Sequence, residues 1–181
     1  MKLFICSDIH GDAECLAKAI EIFDKEKADK FVILGDILYH GPRNDLPKGY
    51  APKTVIGQLS EISDRIIAVR GTCDTEVDQM VLPFPILSDY SYILLDGLTL
   101  MVTHGHKYSH EAPPPLAKGD ILLCGHTHVL KIIPFGNENF YVNPGSISIP
   151  KENNPKTYAI YENRKISIKD FDGSIILEKT F

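Results

Sequence analysis

Aspartate and histidine side chains follow short apolar runs at four places in the chain, and a small residue precedes them each time. Carboxylate oxygens and imidazole nitrogens are the ligands expected for manganese, iron, zinc or nickel. No cysteine stands at a ligand position, which disfavours a structural zinc site. The four segments are Ser7-Asp8-Ile9-His10, Gly35-Asp36, Thr103-His104-Gly105-His106 and Gly125-His126-Thr127-His128. Together they predict a metal centre.

The number of these side chains favours two ions. Two carboxylates and four or five histidines exceed the needs of one metal, whereas two ions a few ångströms apart, bridged by one carboxylate, would use them all. Each segment alone has a plainer interpretation as turn chemistry or a helix cap. However, five of the seven histidines of the chain lie in these segments, which makes chance placement a poor explanation.

The elements around the first two segments alternate in type. Apolar patterning predicts a strand at 2–7, a helix from Asp12 to Lys27 with Asp12 as its N-cap, a strand at 31–34, a helix at 52–63 and a strand at 66–69. This βαβ order predicts parallel strands covered by helices. The carboxyl ends of such strands meet at one crevice, where the side chains that follow them converge.

The second half of the chain carries closely spaced strands. They are predicted at 92–95 and 98–102, joined by a tight Asp96-Gly97 turn, and then at 121–123, 131–135, 140–142, 157–161, 165–171 and 174–179. We expect this half to be mainly antiparallel. Two mixed sheets packed face to face with helices outside would bury both sets of strands. No linker or repeat divides the chain, so we predict a single domain over residues 1–181.

Composition narrows the classes of function. The chain has 181 residues, of which 44% are hydrophobic, and a net charge of −5, which argues against stable binding to nucleic acid. A small anionic substrate held by metals remains compatible with that charge. No signal segment or span of membrane length is evident, so a cytoplasmic protein is expected. Four scattered cysteines without a C-x-x-C pair predict no disulfides.

These segments resemble the calcineurin-like metallophosphoesterase superfamily. The resemblance includes Arg70-Gly71-Thr72-Cys73-Asp74 and Asn143-Pro144-Gly145-Ser146, and it extends in order over nearly the whole chain. It implies an α/β fold, a four-layer αββα sandwich of two mixed β-sheets flanked by helices. It also implies metal ligands: Asp8, His10 and His128 for one ion, Asp36 as the bridge, and His104 and His126 for the second ion. The remaining ligand of the second ion is usually asparagine, and Thr72 stands at that position.

Further roles follow from the resemblance and from residue chemistry. Cys73 stands where many relatives have a histidine that protonates the leaving group, and a thiol is a poorer acid at neutral pH than an imidazole. Arg43 is predicted to bind phosphate through paired hydrogen bonds, with a solvated loop arginine as the alternative. His106 is predicted to face the substrate or to support a ligand by hydrogen bonding. Asp36 and His104 complete the predicted catalytic set.

The predicted function is a metal-dependent phosphodiesterase. Two divalent ions, Mn²⁺ with Zn²⁺, Fe²⁺ or Ni²⁺ as alternatives, would activate a bridging hydroxide for in-line attack on a small phosphodiester. The resemblance also suggests a homo-oligomer, and no membrane partner is expected. The alternative is a catalytically weakened binding or scaffold protein that retains this fold. Thr72 favours that alternative, whereas the complete set of aspartate and histidine ligands opposes it.

Overall fold

Two mixed β-sheets form the body of the protein, as a computed structural model of residues 1–181 describes it. The elements in chain order are β1 (Leu3–Cys6), α1 (Ala13–Glu26), β2 (Lys30–Ile33), α2 (Pro52–Glu61), a 3₁₀ turn (Ser63–Arg65), β3 (Ile66–Ala68), α3 (Glu76–Gln79), β4 (Tyr90–Leu95), β5 (Leu98–Thr103), β6 (Ile121–Leu123), β7 (Lys131–Phe135), β8 (Asn139–Asn143), β9 (Thr157–Glu162), β10 (Lys165–Asp170) and β11 (Ile175–Thr180). The six-stranded sheet has the order β11-β10-β9-β1-β2-β3, and the five-stranded sheet has the order β4-β5-β6-β8-β7. The predicted α/β class with two mixed sheets is confirmed.

The first half of the chain follows its predicted βαβ pattern. Strands β1, β2 and β3 are parallel, and the Asp12 side chain caps α1 by accepting from the Cys15 amide at 3.0 Å. Lys27 ends that helix in the left-handed region, with φ of 52°. The short helix α3 was not predicted, although Thr75 and Asp78 form a capping box at its start. None of the helices has the length and apolar character needed to cross a membrane.

The prediction of a mainly antiparallel second half is confirmed, and the exception lies at the centre of the five-stranded sheet. There β5 pairs with β6, and β6 with β8, in parallel. The reason is the long connection between β5 and β6, residues 104–120, because a parallel neighbour requires a crossover of a dozen or more residues. Parallel pairing brings the ends of β5 and β6, with the histidine segments that follow them, to the same edge.

The apolar residues form layers on either side of the six-stranded sheet. One layer lies between the two sheets and contains alternate residues of the parallel strands, such as Ile5, Val32 and Val102. The other layer lies under α1 and α2 and includes Phe4, Leu16 and Phe31. The outer face of the five-stranded sheet carries no helix, and Tyr108 and Leu116 from the long connection pack there instead. Helices therefore cover one of the two sheets.

An ion-pair cluster ties the last residue of α1 to the six-stranded sheet. Glu26 lies 2.7 Å from Lys2 Nζ and 2.6 Å from Lys169 Nζ, and its side chain is 20% exposed. Burial alone would raise the pKa of Glu26, but Lys169 and Lys2 hold it below its ordinary value of 4.5. A carboxylate with a depressed folded pKa stabilises the fold above its unfolded pKa, and this contribution is lost as pH falls through the folded value.

We expect Glu26→Gln to lower the free energy of unfolding by about 1 kcal/mol at pH 7, since solvent screens this partly exposed cluster. The difference in unfolding free energy between wild type and variant should shrink as the pH falls below 4.5, the ordinary pKa of this carboxyl group, and should vanish in stronger acid. Urea unfolding at pH 7 and at pH 3 measures it. Glu21→Gln is the matched control. The Glu21 side chain is 69% exposed, so its ion pair with Lys18 should contribute almost nothing to the free energy of unfolding. An equal loss of unfolding free energy at pH 7 and at pH 3 would show that the ion pairs of Glu26 are not the source of the stabilisation.

Candidate metal centre

Five residues at the strand ends have left-handed backbone conformations. The φ angles are 56° at Asp8, 49° at His10, 56° at Asp36, 67° at His126 and 60° at His128. For residues with a Cβ this region costs roughly 1–2 kcal/mol each. Such strain persists only where the surrounding structure enforces it, and it clusters at functional sites. These five residues belong to the six aspartate and histidine ligands predicted from the sequence.

The first cluster consists of Asp8, His10 and His128. Asp8 Oδ1 lies 3.3 Å from His128 Nε2 and 3.7 Å from His10 Nε2, and the two Nε2 atoms are 3.3 Å apart. Burial alone would raise the pKa of Asp8, but His10 and His128 hold it well below its usual range. Burial alone would lower the pKa of His10. Asp8 outweighs that effect and raises the pKa of His10 to about 10. A bound metal competes with these protons, so metal binding releases protons.

The second cluster shares Asp8 with the first and adds Asp36 and His104. His104 Nε2 lies 3.4 Å from Asp36 Oδ2, and His126 Nδ1 lies 3.2 Å from His104 Nε2. Burial would raise the pKa of Asp36, but His104 holds it below its usual value, and the acidic neighbours raise the pKa of buried His104 to about 9. Burial and the charge of His104 lower the pKa of His126, which favours a neutral imidazole suited to metal binding.

Backbone carbonyls fix the orientation of three of these imidazoles. In each case Nδ1 lies within hydrogen-bond distance of a carbonyl oxygen, so that Nε2 points to the neighbouring ligands. The pairs are His10 with Tyr39 (2.8 Å), His104 with Leu34 (2.6 Å) and His128 with Ile149 (2.7 Å). A second hydrogen bond of this kind is the usual support for a metal-binding histidine. The rings are thus held in place for a ligand role.

One atom tests whether these residues fit a metal. Asp8 is fully buried, and its Oδ2 accepts from the His126 amide at 3.0 Å, whereas its Oδ1 has no hydrogen-bond partner. A buried carboxylate oxygen without a donor is costly unless a cation compensates it. Oδ1 faces the Nε2 atoms of His10 and His128, so a divalent ion at this point would satisfy all three. The donor set therefore fits a divalent metal.

A cavity of about 510 Å³ opens onto the clusters, and Thr72 and Cys73 line it beside Asp36. Thr72 Oγ1 donates to Asp36 Oδ2 at 3.1 Å, and the Cys73 amide donates to Asp36 Oδ1 at 2.7 Å. The thiol of Cys73 also lies within 4.8 Å of the ligand atoms of His10 and Asp36. The structure therefore places Thr72 beside the predicted bridging carboxylate, and it brings Cys73 into the ligand cluster itself.

Arg43 and His106, two further predicted site residues, lie in different places relative to the cavity. Arg43 lines the 510 Å³ cavity together with Lys151, where both cations can reach an anion. His106 does not line it. The His106 ring lies 5.4 Å from the His104 ring and 6.1 Å from the His126 ring, and its buried Nδ1 has no hydrogen-bond partner. His106 thus lies next to His104 and His126 and outside the lining of this cavity, and its role stays a prediction.

Asp74 holds two loops of the centre together and had no role assigned from the sequence. Its buried carboxylate accepts from the amides of Asp36 at 2.8 Å, Ile37 at 2.9 Å and Gly71 at 2.7 Å. Burial raises the pKa of Asp74, while the amides of Ile37 and Gly71 oppose that rise. The only sequence signal was its place in the motif that begins at Arg70. The carboxylate fixes the loop that carries Thr72 against the loop that carries Asp36.

The segment after β8 supports Asp8 in a similar way. The hydroxyls of Ser146 and Ser148 donate to the Asp8 carbonyl at 2.9 and 2.8 Å. Gly145 permits this turn because its φ is 81° and an added Cβ would lie 2.4 Å from Thr157 Oγ1. These two hydrogen bonds hold the strained backbone of Asp8 in place.

The chain belongs to the calcineurin-like phosphoesterase superfamily, because the family model for that domain matches residues 1–165. It is 47% identical to phosphodiesterase YfcE of Escherichia coli strain K12 over 179 residues, which cover 98% of this chain and 97% of that protein. The solved structure of YfcE, a phosphoesterase from E. coli, superimposes with a TM-score of 0.96 at 46% identity and covers 99% of both chains. Phosphodiesterase MJ0936 of Methanocaldococcus jannaschii is 27% identical over 152 residues, 80% of this chain and 83% of the other. The predicted family and the class of phosphoric ester hydrolase are confirmed.

Proposed function

We propose that this chain is a metal-dependent phosphodiesterase that hydrolyses a small phosphodiester at a centre of two divalent ions, with Mn²⁺ as the native metal. The observation that carries the proposal is the buried Asp8 Oδ1, which faces two oriented imidazoles and has no hydrogen-bond donor. The proposed ligands are Asp8, His10 and His128 for the first ion, Asp36 as the bridge, and Thr72, His104 and His126 for the second ion.

The residues of the cavity suit a small anionic ester. When bound, two divalent ions would lower the pKa of a water for in-line attack and neutralise charge on the phosphoryl oxygens. Arg43 and Lys151 add positive charge where the cavity meets the cluster, which orients the phosphate. A volume of about 510 Å³ admits one small substrate. The similarity to two phosphodiesterases supports a diester substrate. The cytoplasmic location and homo-oligomeric assembly stay predictions.

The test combines metal content with turnover. Protein stripped of metal and reloaded with Mn²⁺ should bind about two ions per chain, as a two-metal centre requires, and should hydrolyse bis(4-nitrophenyl) phosphate. The alternative function as a scaffold predicts metal binding without hydrolysis. Fewer than one ion per chain together with no turnover would exclude the metal centre itself. Elemental analysis and release of nitrophenolate give the two measurements independently.

Thr72→Asn is expected to tighten the second ion. An asparagine carbonyl reaches further than a threonine hydroxyl, whose branched Cβ restricts its approach. The loss of one ligand contact costs on the order of tenfold in metal affinity, about 1.4 kcal/mol. Titration of Mn²⁺ into the stripped wild type and variant, with bound metal and diesterase rate both followed, measures the change. The gain in rate should appear at limiting metal.

Thr72→Val serves as the control for this substitution because it keeps the branched shape and removes the oxygen. It should weaken the second ion further if the hydroxyl near Asp36 contributes as a ligand. Identical titration curves for all three proteins would mean that water completes the second site and that position 72 has no influence on it.

A further inference from the structure

A second cavity, of about 420 Å³, lies beside the metal centre and differs from it in character. Its apolar walls are Leu38, Tyr39, Tyr50, Ile56, Val77 and Val81. The charged residues that line it, Lys53 and Asp78, have opposite signs and leave the cavity neutral overall. The volume lies within the range of ordinary small-molecule sites. An uncharged, largely apolar group suits these walls better than a phosphate.

This apolar cavity adjoins the metal centre at one shared residue. Cys73 lines both cavities, and its backbone amide donates to the Asp36 carboxylate at 2.7 Å. The carbonyl of Tyr39 lies 2.8 Å from Nδ1 of His10. Cys73 is therefore the boundary that a diester would span, with its phosphoryl group at the metal centre and one ester substituent in the apolar cavity.

The walls of the apolar cavity are partly preformed and partly exposed. The Tyr50 ring packs on Gly11, where an added Cβ would lie 2.5 Å from Tyr50 Cε2, and the His40 ring meets Tyr39 at 4.7 Å and Tyr50 at 5.4 Å. The lining also includes Val77 and Val81, which are 68% and 47% exposed. A group of exposed apolar side chains beside a polar site is typical of a surface that a ligand covers.

We propose that this cavity binds an aromatic arm of the phosphodiester substrate while the phosphate lies at the metal centre. The inference rests on the proposed function and deepens it, because it assigns the substrate class as diesters with at least one uncharged aromatic substituent. Tyr39 and Tyr50 supply ring faces and edges for stacking, and the two valines add apolar contact area.

The test replaces both valines by serine, which removes apolar area without adding charge. Val77→Ser combined with Val81→Ser should raise KM for bis(4-nitrophenyl) phosphate roughly ten- to fifteenfold, the effect of about two lost methyl contacts. The inhibition constant of inorganic phosphate, which has no arm, should stay within about twofold. Met80→Ser is the matched control because Met80 is 83% exposed and does not line the cavity. It should change neither constant.

The other outcomes overturn the inference. An unchanged KM would show that the valines do not bind the arm. If the double variant also had a smaller mass in solution than the wild type, the exposed valines would be assigned to contact with a second copy of the chain. Equal rises in KM and in the inhibition constant of inorganic phosphate would show that the substitutions act on the metal centre and not on the apolar cavity. If the metal-loaded wild type turns over no diester, the proposed function fails, and calorimetric binding of the same diester to wild type and variant still tests the cavity.

Discussion

Asp36→Asn is expected to lower kcat/KM for an aryl phosphodiester roughly a thousandfold or more, about 4 kcal/mol of transition-state stabilisation. The carboxylate lies between both clusters, 3.7 Å from His10 Nε2 and 3.4 Å from His104 Nε2, and it accepts from Thr72 and Cys73. The amide of asparagine keeps the shape but loses the charge that a bridging ligand needs to hold two cations. Steady-state kinetics at saturating Mn²⁺ measures the loss.

One control variant tests the change of charge, and two measurements on Asp36→Asn separate a loss of metal from a loss of fold. Asp45→Asn makes the same change of charge at an exposed residue of the loop that follows Asp36, and it should leave kcat/KM within about twofold. Elemental analysis of Asp36→Asn should show fewer bound ions, and its thermal unfolding should stay cooperative. Activity within tenfold of wild type would remove Asp36 from the bridging position.

The second large effect concerns the leaving group. We expect aryl diesters to be hydrolysed roughly a hundred to ten thousand times faster than alkyl monoesters, because a positioned general acid contributes a factor of this size. By the family resemblance, Cys73 stands where many relatives have that acid, and we predict that the wild type therefore lacks it. It lines the cavity beside Asp36, so a proton donor there would reach a bound ester. An aryl leaving group departs without much protonation, whereas an alkyl group requires it. Matched assays of bis(4-nitrophenyl) phosphate and an alkyl monoester give the ratio.

Substitution at the same position tests the cause of this preference. Cys73→His should accelerate the alkyl ester more than the aryl diester and so narrow the ratio. Cys73→Ala, which removes the thiol without adding an acid, should leave the ratio as it is. Efficient hydrolysis of the alkyl monoester by the wild type would show that another group donates the proton, and the assignment of position 73 would then be wrong.

Much of the fold follows from local sequence. The helix from Asp12 to Lys27 was predicted within one residue of α1, because an N-cap carboxylate and an apolar face with helical spacing act within a few turns. The Asp96-Gly97 turn likewise predicted the hairpin of β4 and β5. The identity of the ligand candidates was also a local matter, since acidic and imidazole side chains follow apolar strands in recognisable segments.

The tertiary structure decided which of these residues meet. Asp8 follows β1 of the six-stranded sheet and His128 follows β6 of the five-stranded sheet, yet their ligand atoms lie 3.3 Å apart. The left-handed angles, the clamp of Asp74 on the Asp36 and Ile37 amides and the apolar cavity are likewise products of packing. Sequence determined the chemical groups because residue type and local periodicity are short-range properties. Their distances depend on how the strands and the two sheets pack, because the contacts join segments far apart in the chain, as far as 118 residues for His10 and His128.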